Sequence, residues 1–416
     1  MRIEVIILVF FAFSAGSCGQ AMKKQTENVE GQMILTTMPK KRVSISLAGT
    51  GIATIDWGDG KIDKHTFSNY YPTDFVHFYD TPAVYSITII GENILYLDCG
   101  FDNLTSLDVS KNTKLTHLKC YCQKLTALDV SKNTALVELN CCSNNLTNLD
   151  VSNNTVLTWL ACRNNQLTAL DVSKNVLLMD LDVYNNLLSI LDVSNNTALI
   201  ELNCYYNCLT SLDVSNCIAL TSLDVGNNMA SKSLSYIIRS LTNLKIGKNT
   251  VLVNLDCAAN GLTSLDVSEA TSLINLVCEG NQLTSLDVSN NTALVELNCS
   301  NNFIESLDVS KNTALTEFLC YNNSLTSLDV SNNIALTRFW CLGNQLTELN
   351  VSNNTKLNDL GCSKNHFSAE ALNKLFATLP RNRAKNKEID IRDNLGTNDC
   401  YTRIAKKKGW AVMKKQ

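Results

Sequence analysis

Histidine is scarce in this chain of 416 residues. His65, His77, His117 and His366 are the four it has, and none stands in an HExxH or paired-cysteine context that would gather a metal. No glycine-rich phosphate loop and no nucleophile elbow is present, so no catalytic constellation, metal site or cofactor site is expected. A strong charge of either sign is also missing. The formal net charge is −4 with a pI near 5.7, and the basic stretches Lys406–Lys408 and Lys414–Lys415 are short and terminal. A nucleic-acid partner needs a basic stripe, and none is there. After Val5–Phe13 no segment is apolar enough for long enough to cross a membrane.

What the chain has in abundance is a 21-residue phrase, LTSLDVSKNTALxxLxCxxNQ. Copies begin at Leu104, Leu125, Leu146, Leu167, Leu188 and Leu209 and, after one interruption, at Leu241, Leu262, Leu283, Ile304, Leu325 and Leu346. A fixed period of this length, with Leu at fixed offsets, specifies a stacked solenoid of about 12 turns. Such a stack makes a binding scaffold the default function and an enzyme the exception.

Each phrase splits into two similar halves. In Leu146–Gln166 they read LTNLDVSNNTV and LTWLACRNNQ. Strand alternation sends Leu and Cys of the L-x-C triplet inward and the residue between them outward; in L-D-V it sends Leu and Val in and Asp out. Both halves are therefore expected to offer short parallel strands, making a flattened coil with two sheet-like faces. One turn buries little alone, so neighbours must stack to close a core. The second half with the next Leu, LxxLxCxxNxL, resembles the leucine-rich-repeat signature with Cys at an apolar site. The doubled period resembles the nested subclass of bacterial leucine-rich repeats. The resemblance covers residues 95–367 and implies a mainly β leucine-rich-repeat solenoid.

Three columns follow from stacking. Cys99, Cys120, Cys141, Cys162, Cys204, Cys257, Cys278, Cys299, Cys320, Cys341 and Cys362 share one offset, with Val183 and Val225 filling it elsewhere. The site wants a small apolar group, and in-register neighbours about 4.8 Å apart exceed the about 3.8 Å between Cβ atoms of a disulfide, so free thiols are expected. Cys122 and Cys142, off the ladder on neighbouring turns, are the best disulfide candidates. An Asn column from Asn144 to Asn365, preceded by Asp102 and Gln123, is expected to satisfy the bending backbone. An Asp column from Asp108 to Asp329 stacks like charges outward. Bonds from nearby hydroxyls or amides would offset the repulsion; calcium is the other possibility.

The flanks read differently. Residues 1–17 form an export signal, and the small residues Ser14–Ser17 leading to Cys18 resemble a bacterial lipoprotein signal, which implies acylation at Cys18. Residues 18–32 form a polar tether. Residues 33–94 carry I-D-W-G-D-G-K-I-D, F-V-H-F-Y and V-Y-S-I-T-I-I, strand-like phrases in which Trp57, Gly58, Asp59, Gly60, His77 and Tyr79 resemble a polycystic-kidney-disease-type (PKD) β-sandwich. Met229–Leu241 breaks the period with helical apolar spacing, which residues 368–416 repeat in Leu372, Leu375, Phe376 and Leu379. The insert therefore reads as a degenerate copy of an α/β C-terminal cap, at which the rod would bend. That cap is expected as helix Ala369–Leu379, strand Glu388–Arg392, helix Asn398–Lys408 and a closing strand at Gly409–Val412.

Within the chain the LDVSxNT half hardly varies, whereas outward positions of the L-x-C half vary widely. Two aromatic clusters result: Tyr121, Trp159, Tyr184, Tyr205 and Tyr206, and Leu319, Tyr321, Trp340 and Leu342 on adjacent turns. Exposed aromatics in a patch suit a protein or sugar surface. The expectation is a non-enzymatic exported scaffold presenting a β-face to a protein or glycan partner, as internalin-like adhesins do. Its only membrane attachment would be the lipid at Cys18, on an outer membrane or cell surface, with secretion as the alternative. A structural spacer with no tight ligand is the second reading, and an enzyme the third.

Overall fold

A computed structural model describes residues 29–67, 71–229, 241–381, 384 and 386–414. The export signal, Cys18, most of the tether and nearly all of the 229–241 insert lie outside the described residues.

The N-terminal unit is built around one long strand. β2 (Lys40–Asp56) pairs antiparallel along its first half with β4 (Thr73–Ala83) and β6 (Asn93–Asp98), and along its second half with β3 (Ile62–Phe67) and β5 (Ser86–Ile90). β1 (Gln32–Thr37) pairs with β5 and with β7 (Leu104–Asp108). β2 thus passes from one sheet to the other, and alternate residues such as Val43, Ile45, Leu47, Ile55, Ile87 and Ile89 are buried between them. The WGDG turn is tied to β4: His77 stacks on Trp57 with ring centroids 4.7 Å apart, its Nε2 lies 2.9 Å from Asp59, and the Tyr79 hydroxyl donates to the Trp57 carbonyl at 2.9 Å.

β6 is the joint. Its Tyr96–Leu97–Asp98 pairs in parallel with His117–Lys119, and from there an unbroken parallel sheet runs through the L-x-C half of every turn to Trp410–Met413. Pairing is in register, Leu on Leu, so the buried column reads Leu118, Leu139, Leu160, Leu181, Leu202, Leu223 and onward, with Phe318 and Phe339 stacked 5.4 Å apart inside it. The cysteine ladder beside it is buried at every rung, and all described cysteines are free, Cys122 and Cys142 included. The Cys122–Cys142 pairing is therefore corrected: stacking ties the two residues through the Cys122 amide and the Cys142 carbonyl, 2.8 Å apart, with both sulfurs as thiols.

The expected second sheet is also corrected. Among the described residues the LDV halves form strands only in β7 and in the pair Ser211–Asp213 with Asn243–Lys245. At the end of each LDV triplet the Asp carboxylate accepts the amide of the Ser two residues on, as Asp150 does from Ser152 at 2.9 Å. Asp213 does the same from Ser215 at 2.9 Å at the end of a strand, so this turn follows the triplet whether or not it pairs in a ladder. The same bond answers the like-charge problem. Hydrogen bonds from the Ser152 hydroxyl and amide hold the Asp150 carboxyl below its ordinary range, and the same holds from Asp129 to Asp329 along the column.

Two Asn columns close the turns. Asn165 donates to the carbonyls of Cys141 (3.0 Å) and Cys162 (2.9 Å) and accepts from the Leu146 amide (3.0 Å), so it clips three successive chain segments. A second column, unremarked in the sequence, has Asn154 donating to Val130 (3.0 Å) and to Asn133 (2.8 Å) in the turn before.

The insert does not bend the sheet. Ser222–Asp224 pairs in register with Asn254–Asp256 across it, the pairing found between uninterrupted turns. The C-terminal cap follows the expected order. α1 (Ala369–Thr378) is N-capped by Ser368, whose Oγ accepts from the Ala371 amide, and it buries Leu372, Leu375 and Phe376. Strand Lys387–Asp390 and strand Trp410–Met413 extend the sheet, and between them only Arg403–Lys406, α2, is helical.

Candidate binding face

The three-residue strands of this sheet turn two columns outward, one on each side of the buried Leu or Phe, with Ala161 and Gly361 covered by their neighbours. The column before Leu reads His117, Glu138, Trp159, Asp180, Glu201, Ser222 and onward; the column after it reads Lys119, Asn140, Ala161, Asp182, Asn203, Asp224 and onward. A third, just past Cys, carries Tyr121, Tyr184, Tyr205, Tyr321 and Leu342. The inner positions are nearly constant and these outer ones are not.

The structure splits the first expected cluster. Tyr121 lies over Gly100 and meets Phe101 edge-on, with centroids 5.2 Å apart, at the N-terminal end. Cys142 and Arg163 separate it from Tyr184 and Tyr205, which stack at 5.7 Å with Tyr206 beyond. Trp159 belongs to the column on the far side of the strand, where its indole N–H donates to Asp180 at 2.8 Å. The sequence grouping counted turns but not which side of Leu a residue occupies.

The second cluster comes together. Leu319 is in register with Trp340, and Trp340 with Gly361. With no Cβ at Gly361, the indole of Trp340 and the side chain of Leu342 close over it. Tyr321, one turn back from Leu342, places its hydroxyl 3.5 Å from Glu279. Two residues that the sequence reading missed hold the tryptophan. Asp359 accepts the indole N–H at 2.9 Å, and the Arg338 guanidinium lies 5.5 Å from the ring centroid while bridging Glu317 (3.1 Å) and Asp359 (3.2 Å). Arg338 occupies the column before Leu, and strand alternation applied on both sides of Leu would have found it.

Between the two aromatic ends the face is acidic. Asp182, Asp224 and Asp256 stand in the column after Leu, and Asp180 and Glu201 in the column before it. Burial raises the carboxyls of Asp180, Asp182 and Asp256, and burial with repulsion from Asp256 lifts Asp224 to about 6. No group of three His, Cys, Asp or Glu side chains among the described residues is placed to hold a metal ion.

The parallel register, the Leu and Cys ladders and the Asn clips define a leucine-rich-repeat solenoid. No protein-family model and no curated protein matches the chain. Solved structures do. The functional domain of InlJ from Listeria monocytogenes, which includes a cysteine ladder, is 32% identical, with a TM-score of 0.62 over 75% of this chain and 76% of that one. The chain belongs to the leucine-rich-repeat family that InlJ represents. The leucine-rich-repeat protein LIC12759 from Leptospira interrogans (22% identity, TM-score 0.57, 76% of this chain and 94% of that one) shares the fold. So does an internalin from Listeria monocytogenes (22%, 0.55, 68% and 84%).

Proposed function

We propose that the protein is a non-enzymatic, exported scaffold whose sheet face docks a protein or glycan partner, in adhesion or another surface interaction. The observation that carries this reading is the contrast on each strand. The inward Leu and Cys repeat almost without change, while the outward residues differ from turn to turn and gather into a half-buried patch at Leu319, Tyr321, Trp340 and Leu342. A spacer needs no such variation. The kinship with InlJ supports the same reading, and acylation at Cys18 would tether the scaffold to a membrane.

The test is a glycan and host-protein array probed with the mature chain, followed by the double variant Tyr321→Ala with Trp340→Ala. Binding lost by the variant, with an unchanged far-ultraviolet spectrum and melting transition, supports the reading. A ligand that both forms bind equally removes the Leu319–Leu342 patch, and no ligand on any surface favours the spacer.

A further inference from the structure

The acidic stretch of the sheet contains a depression of about 280 Å³ walled by Trp159, Asp180, Asp182, Glu201, Ser222 and Asp224. Its origin is register. Trp159, Asp180, Glu201 and Ser222 align along one outward column, and the short Ser222 leaves the floor open between Glu201 and Asn254. The indole of Trp159 is fixed at one end by its bond to Asp180. Four carboxylates line the space, and the one ion pair they form among the described residues is Asp182 with Arg163, at 3.5 Å. Asp182 and Asp224 also accept backbone amides, from Tyr184 at 3.1 Å and Gly226 at 3.2 Å, and those bonds hold their direction. With Asp182 facing Arg163, the charges left without a cation among the described residues are those of Asp180, Glu201 and Asp224.

An aromatic wall beside several unmatched carboxylates recognises an organic cation. The ring face attracts the charge and the carboxylates take its N–H donors. The edge of the solenoid alongside adds a second property. Met179, adjoining Asp180 in the chain, is exposed there, as are Leu177 shortly before it and Ile218 on the turn leading into Ser222, so an occupant with apolar groups beside its cation gains contact area. We propose that this depression seats an arginine or lysine side chain of a protein partner, with its aliphatic stem against Trp159 and its head among Asp180, Asp182, Glu201 and Asp224. The proposal rests on the sheet face being the docking surface and names the partner's chemistry there: a segment that is basic and apolar together.

The test uses the full chain and a capped tri-arginine peptide, titrated calorimetrically at low salt and neutral pH. The expected result is binding that weakens roughly tenfold in Asp180→Asn with Asp224→Asn, weakens again in about 0.5 M salt, and falls as pH drops below about 6 and Asp224 takes a proton. Trp159→Ala should weaken it too; if that variant does not fold, the isosteric Asn pair carries the test. The proposal is overturned if the peptide does not bind, if the Asn pair binds it like the parent, or if calcium chloride or a tri-glutamate peptide gives the same heat. It is also overturned if the parent dimerises and the Asn pair does not, which would make a second copy the occupant. An array partner lost with Tyr321→Ala and Trp340→Ala but kept by the Asn pair sinks this inference and leaves the docking face standing.

Discussion

Lys40 and Asp102 form a 3.0 Å ion pair across the joint between the N-terminal sheets and the first solenoid turn. Asp102 stands where later turns have Asn. There the Asn oxygen accepts an amide from its own stack; here both carboxylate oxygens accept the Ser44 amide of β2, at 3.1 and 3.2 Å. The substitution in the column is thus the mark of a different neighbour. Gln123, on the next turn, keeps the repeat's role with a longer arm, accepting from Leu104 and donating to Cys99 and Tyr121.

Burial raises the Asp102 carboxyl despite Lys40, so its charge is tolerated only with the cation present. Lys40→Met should therefore cost about 3–5 kcal/mol, the penalty of stranding a buried charge. Lys40→Met combined with Asp102→Asn should recover much of that, because Asn still offers Ser44 an acceptor. In Lys40→Met the deficit should shrink as pH falls toward the carboxylate range and Asp102 protonates. Urea unfolding of the four members of the cycle at two pH values measures each claim; a double variant as unstable as Lys40→Met overturns the account.

The two Asn columns should differ in worth. Asn165 makes four bonds with backbone groups, donating to the carbonyls of Cys141, Cys162 and Arg163 and accepting from the Leu146 amide, whereas Asn154 makes two, both as donor. The chain itself agrees: the second column tolerates Cys217 and Ala270, both buried, while from Asn144 on the first column has no apolar member. Leaving a buried backbone group unpaired costs about 1–3 kcal/mol. Asn165→Ala should thus lose clearly more stability than Asn154→Ala in denaturant titration. Equal losses would mean that the columns share one role.

Much of this was legible in the sequence because the period is strict. A 21-residue repeat fixes which side chains share a column, and columns of Leu, Cys and Asn are readable as core and clips. Two things were not. The LDV half has the same alternation as a strand, yet among the described residues it pairs as one only in β7 and in Ser211–Asp213 with Asn243–Lys245; the alternation fixes which side chains face inward and leaves the backbone pairing open. The binding face needed both sides of each Leu. Arg338, Asp359 and the Asp180–Glu201 column lie before the buried Leu or Phe, and so does Trp159; grouping outward residues by turn without separating the two sides joined Trp159 to tyrosines of another column and passed over the acidic residues beside it.

The thiols give a third prediction. Burial pushes the ladder sulfurs up, Cys120, Cys162 and Cys278 among them, and so suppresses the thiolate that reacts. Cys122 and Cys208 are only half-buried. Brief alkylation of the folded chain, followed by peptide mass mapping, should modify these two and spare the ladder until denaturant is added. Labelling of ladder residues at the same rate would show that the stack opens locally.

The carboxylates give a fourth, in which two sets pull opposite ways. Asp150 and its column are held low by Ser bonds, so their stabilisation is present above the ordinary carboxylate range and is lost as pH falls through it. Asp224 is raised to about 6 by burial and by Asp256. Its sign is reversed: the folded chain binds the proton more tightly than the unfolded one, so stability declines as pH rises from about 4 to about 6. Asp224→Asn removes that loss and keeps an oxygen for the Gly226 amide. The variant should be more stable than the parent at pH 7, by about 1 kcal/mol after discounting for water reaching a half-buried group, and no more stable at pH 4. Melting curves at the two pH values decide it. A variant less stable at pH 7 would mean that the Asp224 charge is already matched within the chain, and the acidic stretch would no longer be a surface waiting for a cation.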